Sequence, residues 1–209
     1  MHYTQIFGEI SGVIGTIAFI PYIRSIIQGE TKPNRASWFI WAILGGTILA
    51  SYHFSGASST IWLAVVYAIM PVIIFLFSFK YGVGGLERLD LICLAGAALG
   101  LLLWKLSDKP EIALYLNILV DSLGFMPTLK KAYFQPASES KLAWSIGVAA
   151  TWLNLLAINS WRPGIALYPI YTLTFNTLVL LLLFGIGRDK SKPVMLRPSA
   201  AQLTTGLSP

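Results

Sequence analysis

One carboxylate in this sequence stands where a carboxylate is expensive. Asp121, in LYLNILVDSLGFMP, is the only acidic residue in the middle of an apolar segment long enough to cross a bilayer. A charge at bilayer depth costs at least roughly 2.5–3.5 kcal/mol, so such a group faces a cavity or a partner. No Lys or Arg stands mid-segment to pair with it. Two chemistries stay open: a protonated Asp121 that carries a coupling proton, or an ionised one that meets solvent or a cationic solute. The plain structural alternative is a neutral Asp121 bonded to Ser122, Asn117 or a neighbouring helix.

Asn176, in YTLTFNTLV, adds an amide that both donates and accepts, which suits a hydroxylated or zwitterionic solute. Its plain role is to bond two helices together. Tyr67 and Tyr171 hold similar places in two apolar segments. Trp152 and Asn154 stand at mid-depth in another, and Trp41 and Thr47 in a fourth. Aromatic faces on a cavity stack on sugar rings or cations, and depth favours Trp152 and Asn154 for that position. Trp62, Trp104 and Trp161 suit the membrane interface. Glu9 is a candidate for an outer vestibule, and Glu87, Arg88 and Asp90 read as a solvated helix start. No H-E-x-x-H, G-x-S-x-G, P-loop or C-x-x-C occurs, so neither enzyme chemistry, metal nor cofactor is expected.

The elements that must position these groups announce themselves by repetition. FIPYIRSIIQGETKPNRASW at 19–38 is echoed by FMPTLKKAYFQPASESKLAW at 125–144. Seventeen residues separate Pro21 from Trp38 and Pro127 from Trp144, and the copies lie 106 residues apart. A proline inside a helix removes one N–H and crowds the carbonyl four residues back, here those of Ile17 and Leu123. Pro21 and Pro127 are therefore candidate hinges.

The rest of the chain is built for lipid. Of 209 residues 56% are hydrophobic and 11% charged, against about 25% charged in a soluble domain. The net charge of +6 comes from basic residues between apolar runs, which argues against nucleic acid. Cys93 is the only cysteine, so no intrachain disulfide forms. No cleavable signal is expected.

Seven spanning segments are predicted at about 5–28, 37–54, 59–79, 87–106, 111–133, 142–160 and 164–186. Short connections make sequential helices antiparallel neighbours. Residues 188–209 read as a mobile cytoplasmic tail. With the N-terminus outside, twelve of the fifteen Lys and Arg fall on the inner side, which sets the orientation in a cell membrane with the C-terminus cytoplasmic. Three helices and one more separate the two copies, so both start from the same face. The expected fold class is an all-α polytopic membrane protein of 3+1+3 parallel repeats: a triple-helix bundle at 1–82, a linker helix at 83–108 and a second bundle at 109–187.

This pattern resembles the SWEET, SemiSWEET and PQ-loop transporters over roughly residues 5–187. In that family a proline-glutamine pair lies near the inner end of the first helix of each bundle. Here the matching pairs are Pro21-Tyr22 and Pro127-Thr128, which keep the proline and lack the glutamine. SKLAWSIG at 140–147 looks like the start of the family's second helix, and NRASWFIW at 34–41 is its more divergent copy. The resemblance implies transport of a small polar solute, a sugar or an amino-acid-like molecule, by alternating access between two bundles. It implies no cofactor, and it is compatible with proton coupling and a homo-oligomer. Asn176 matches the asparagine that binds sugar hydroxyls in SWEETs, and its first-bundle counterpart is Val72. A receptor or sorting protein and a lipid-handling protein are the competing functions on the same scaffold.

Overall fold

Helix ends in this protein follow local chemistry. In the computed structural model, which describes residues 2–84, 87–106 and 110–187, Asn34 Oδ1 accepts from the Ser37 N–H at 3.0 Å and Ser140 Oγ from the Ala143 N–H at 3.3 Å. These caps satisfy N–H groups that have no partner inside a helix. Pro163 opens the last helix at a position that needs no N–H. Gly29, at φ 72°, turns the chain out of the first. The helices are α1 (His2–Ile27), α2 (Arg35–Phe54), α3 (Ile61–Tyr81), α4 (Arg88–Lys105), α5 (Pro110–Phe134), α6 (Lys141–Leu156) and α7 (Pro163–Leu183), with a 3-10 turn at Pro136–Ser138. Both Pro21 and Pro127 lie inside unbroken helices. The tail expected at 188–209 lies outside the described residues, as do Lys109 and the side chain of Trp104.

The described fold is all-α and suited to a membrane. Among the described residues four helices are long and apolar enough to cross one: α1, α3, α5 and α7. The others are weaker candidates for identifiable reasons. α6 has 16 residues, and α4 carries Arg88, Asp90 and Lys105 within its 18. Aliphatic side chains nevertheless point outward on the long helices, as with Ile6, Val13 and Ile17 on α1 and Ile69, Val72 and Leu76 on α3. Exposed apolar surface on this scale is what a bilayer covers.

α3 packs between α1 and α2, and α7 packs between α5 and α6. The two groups meet where α1 lies on α6 and α2 on α5, while α4 packs on α5 and touches α2. This corrects the expectation that sequential helices are neighbours. It holds for α2–α3, α4–α5 and α6–α7, but among the described residues α1–α2, α3–α4 and α5–α6 make no substantial contact. A short connection sets only an upper bound on distance. The stretch between α1 and α2 covers residues 28–34, and at roughly 3.3–3.6 Å per residue it reaches over an intervening helix roughly 10 Å wide.

Close packing of α2 on α3 depends on Gly45. A Cβ there would lie 2.6 Å from Ala68 Cα and 2.7 Å from the Tyr67 carbonyl oxygen, both backbone atoms that cannot swing aside. Gly45→Val should therefore destabilise the fold by about 1–3 kcal/mol, the usual cost of overpacking. Gly46, where an added Cβ would meet nothing within 4 Å, is the control. Unfolding in mixed detergent micelles should separate the two variants, and equal stability would remove the close-approach argument.

The α1–α2, α3–α4 and α5–α6 connections gather at one end, here called the basic end. Val83 donates to the Pro33 carbonyl at 2.9 Å and accepts from the Arg35 N–H at 2.8 Å. Asp90 corrects a second expectation. It is buried, not solvated, and accepts from the Glu87 N–H at 3.2 Å and Asn34 Nδ2 at 3.4 Å. Glu87 itself is exposed and pairs with Lys130 at 2.6 Å.

Candidate functional site

Every helix except α4 contributes to one cavity of about 100 Å³ between the two groups. Asp121 enters it from the middle of the α5 span Ile112–Phe134 and is 6% exposed. The neighbours that could neutralise it locally are engaged elsewhere. Asn117 accepts from Thr47 Oγ1 at 3.1 Å and donates to Ser51 Oγ at 3.2 Å, stapling α5 to α2. Ser122 Oγ donates to the Ile118 carbonyl at 2.8 Å. Trp41 Nε1 and Tyr171 Oη approach the Asp121 carboxylate, but both are buried and neither closes a hydrogen bond. Among the described residues no Lys or Arg lines the cavity. Asp121 is therefore a buried carboxylate with no counter-ion there, directed at open space.

Gly124 makes this arrangement fit. A Cβ there would lie 2.9 Å from Trp41 Nε1, so the bare glycine admits the indole against α5 within one turn of Asp121. From Trp41 a chain of ring contacts runs along the cavity: to Trp38 at 4.9 Å, to Phe125 at 4.8 Å, and from Phe125 to Phe175 at 5.0 Å.

Asn176 lines the cavity from α7, and Tyr67 lines it from α3. The Asn176 amide donates one N–H to the Thr172 carbonyl at 2.7 Å, leaving Oδ1 and the second N–H for other partners. A Cβ on Gly147 would come 4.0 Å from that oxygen. Tyr171 does not line the cavity; its hydroxyl borders Asp121 while its ring packs on Phe175 at 4.8 Å.

Trp152 and Asn154 are corrections. Trp152 is 53% exposed and turned outward, so it does not line the cavity. Consecutive helical residues step by about 100°, so a position two residues from buried Ala150 and two from buried Asn154 falls on the opposite side. Asn154 is fully buried, but neither amide atom has a partner and it does not line the cavity. Glu9 is exposed and accepts from Gln5 at 2.9 Å, away from the cavity.

Residues that sequence reasoning passed over close the two ends. At the basic end Lys131 and Glu139 form an ion pair with side chains 6% and 1% exposed. Glu139 also accepts from Trp144 Nε1 at 2.9 Å and from Tyr22 Oη at 3.4 Å. Lys131 donates to the Lys32 carbonyl, Lys32 N–H donates to the Ser138 carbonyl at 3.0 Å, and Thr128 and Ser37 hydroxyls meet at 2.8 Å. These contacts join the α1–α3 group to the α5–α7 group directly beside Tyr22, Trp38 and Trp144, which line the cavity.

At the other end Tyr52 Oη donates to the Ile165 carbonyl at 2.9 Å. Its single proton is thereby used, so Thr60 donates to it at 2.6 Å. The Tyr52 ring packs on Tyr168, a cavity residue, at 5.2 Å. Asn159 Nδ2 donates to Ser58 Oγ at 2.8 Å nearby. The cavity thus lies between two sets of hydrogen bonds, each tying one helix group to the other.

The chain matches no family model, no curated protein and no solved structure. What the fold and the site define is the class: a membrane-embedded, all-helical protein with a central cavity.

Proposed function

We propose that this protein moves a small polar solute across the membrane by alternating access, on a 3+1+3 scaffold of the SWEET and PQ-loop kind. The observation that carries the reading is the unpaired Asp121 carboxylate in a cavity flanked at both ends by contacts between helix groups. Breaking one set while keeping the other would open the cavity to one side at a time.

Three further features support the scaffold. The main contacts map onto one another when α1, α2 and α3 are exchanged with α5, α6 and α7: α1–α3 with α5–α7, α2–α3 with α6–α7, and α1–α6 with α2–α5, while α4 packs on α5 and α2. The capping residues Asn34 and Ser140 stand 106 residues apart, the offset that also relates Pro21 to Pro127 and Trp38 to Trp144. Outward aliphatic and aromatic side chains on α4 (Leu91, Ile92, Leu99) and α2 (Phe39, Ile43) favour spanning positions for these helices too. The excess of Lys and Arg at the basic end makes that end cytoplasmic, with the N-terminus outside, in a cell membrane. Tyr22 occupies the place of the missing first glutamine, where it bonds Glu139 across the groups.

Solute uptake by proteoliposomes tests the reading, and its prolines provide the internal check. Pro21→Ala with Pro127→Ala should restore two backbone hydrogen bonds, stiffen α1 and α5, and slow uptake several-fold while the protein stays folded. Wild-type uptake by the double variant would remove the hinge role. Absence of any movement across a panel of polar solutes would remove the transport reading itself.

A further inference from the structure

We infer that the cavity's ligand is a small organic cation, a solute with an ammonium or guanidinium head and no carboxylate. This rests on the transport reading for its purpose but on separate observations for its chemistry. The first is charge. Among the described residues Asp121 is the only charged one lining the cavity, and the buried Lys131 at the basic end is already paired with Glu139. A carboxylate on the ligand would meet the Asp121 charge with no cation to hold it, whereas an ammonium supplies the missing counter-ion.

The second observation is the polarity of the remaining groups. Asn176 uses one of its two amide N–H groups on the Thr172 carbonyl and keeps Oδ1 as an acceptor beside Gly147 of the cavity. Thr172 has likewise spent its hydroxyl proton on the Pro169 carbonyl at 3.1 Å, leaving oxygen lone pairs. Asp121 and Thr172 therefore accept, Asn176 adds an acceptor beside its second amide N–H, and a ligand that satisfies the three acceptors must donate. The phenols of Tyr67 and Tyr168 can do either. A protonated amine or guanidinium is all donors; a sulfate or carboxylate is none.

The third observation is the wall. Trp41, Phe125, Tyr67 and Tyr168 line the same cavity as the carboxylate. Ring faces attract cations, the more so when both are withdrawn from water. A lone carboxylate inside an aromatic wall binds a cation by charge and by quadrupole together. The unbonded Trp41 Nε1 and Tyr171 Oη, close to Asp121, remain available to hold the carboxylate oxygen that the ligand does not use.

The test compares charged probes with uncharged probes of similar shape: methylammonium against methanol, and guanidinium against urea. Full-length protein in lipid nanodiscs reports binding through the tryptophans at the cavity, Trp38, Trp41 and Trp144. At least one cation should bind ten-fold or more tightly than its neutral counterpart, and Asp121→Asn should erase that difference. Equal binding of the neutral probes, or no binding of either cation, overturns the inference. The wild-type comparison alone decides this, so a misfolded variant does not obscure it. Counterflow of labelled probe in proteoliposomes separates this inference from the transport reading. Cation binding with no movement keeps the site and removes the transporter. Movement of a neutral solute with no preference for cations, unchanged in Asp121→Asn, keeps the transporter and removes the cation site.

Discussion

Glu139→Gln should destabilise this protein by about 3–5 kcal/mol, the cost of leaving one member of a buried ion pair without its partner. Glu139 is the more enclosed member, with its side chain 1% exposed, and Lys131 is 6% exposed. The glutamine keeps the shape and still offers Trp144 Nε1 an oxygen, so lost packing is not the cause. What remains is an ammonium buried without a counter-charge. Lys131→Met should cost a similar amount by stranding the carboxylate.

The double variant Lys131→Met/Glu139→Gln distinguishes the pair from its parts. With both charges gone, the buried cost goes too, and only the hydrogen bond from Lys131 to the Lys32 carbonyl is missing, worth about 1 kcal/mol. Detergent unfolding of all four proteins should give a coupling energy of about 5 kcal/mol or more, since the two single losses of about 3–5 kcal/mol each collapse to about 1 kcal/mol in the double variant. Additive single losses would show that the pair is not a unit. The same contact ties the groups together at the basic end. Each single variant should therefore speed labelling of a cysteine at Ala143, a cavity residue, by a membrane-impermeant maleimide added from that side.

This ion pair also shows where sequence reading stops. Lys131 and Glu139 flank a polar turn, and loop charges normally stand in water. Only the α1–α2 connection, through Lys32, and Tyr22 of α1 folding over them enclose them. Asp121 was legible for the opposite reason: a carboxylate among apolar residues has no solvated alternative. Depth was legible as well, because distance along a helix is distance across the bilayer. Direction around the helix was not. A spanning helix is apolar on its lipid face and its buried face alike, so periodicity cannot assign a side. Trp152 and Trp41 look equivalent in sequence, yet one meets the exterior and the other the cavity. The order of helices in each group was hidden by short connections, which limit separation without choosing a neighbour. The helix caps at Asn34 and Ser140 stand at the same offset as the prolines and tryptophans, a local signal that sequence and structure share.

Locking either end shut should stop solute movement. Ser37 and Thr128 hydroxyls are 2.8 Å apart at the basic end, joining α2 to α5. Ser58 and Asn159 are bonded at 2.8 Å at the other, joining the α2–α3 and α6–α7 connections. With Cys93 replaced by alanine, a cysteine pair at Ser37 and Thr128 should form a disulfide directly on oxidation, and a pair at Ser58 and Asn159, where Asn159 reaches by its amide, should be bridged through disulfides by a short bis-methanethiosulfonate. Alternating access requires each end to open in turn, so either cross-link alone should cut proteoliposome counterflow at least ten-fold, and dithiothreitol should restore it. The reduced proteins serve as their own controls for folding. A mechanism in which only one end moves would leave flux intact with the other end locked. A fixed pore along the cavity would be insensitive to both, because neither cross-link draws together groups that are not already in contact. Two reversible blocks, one at each end of a cavity that holds a single unpaired carboxylate, are what rocking of the two helix groups requires.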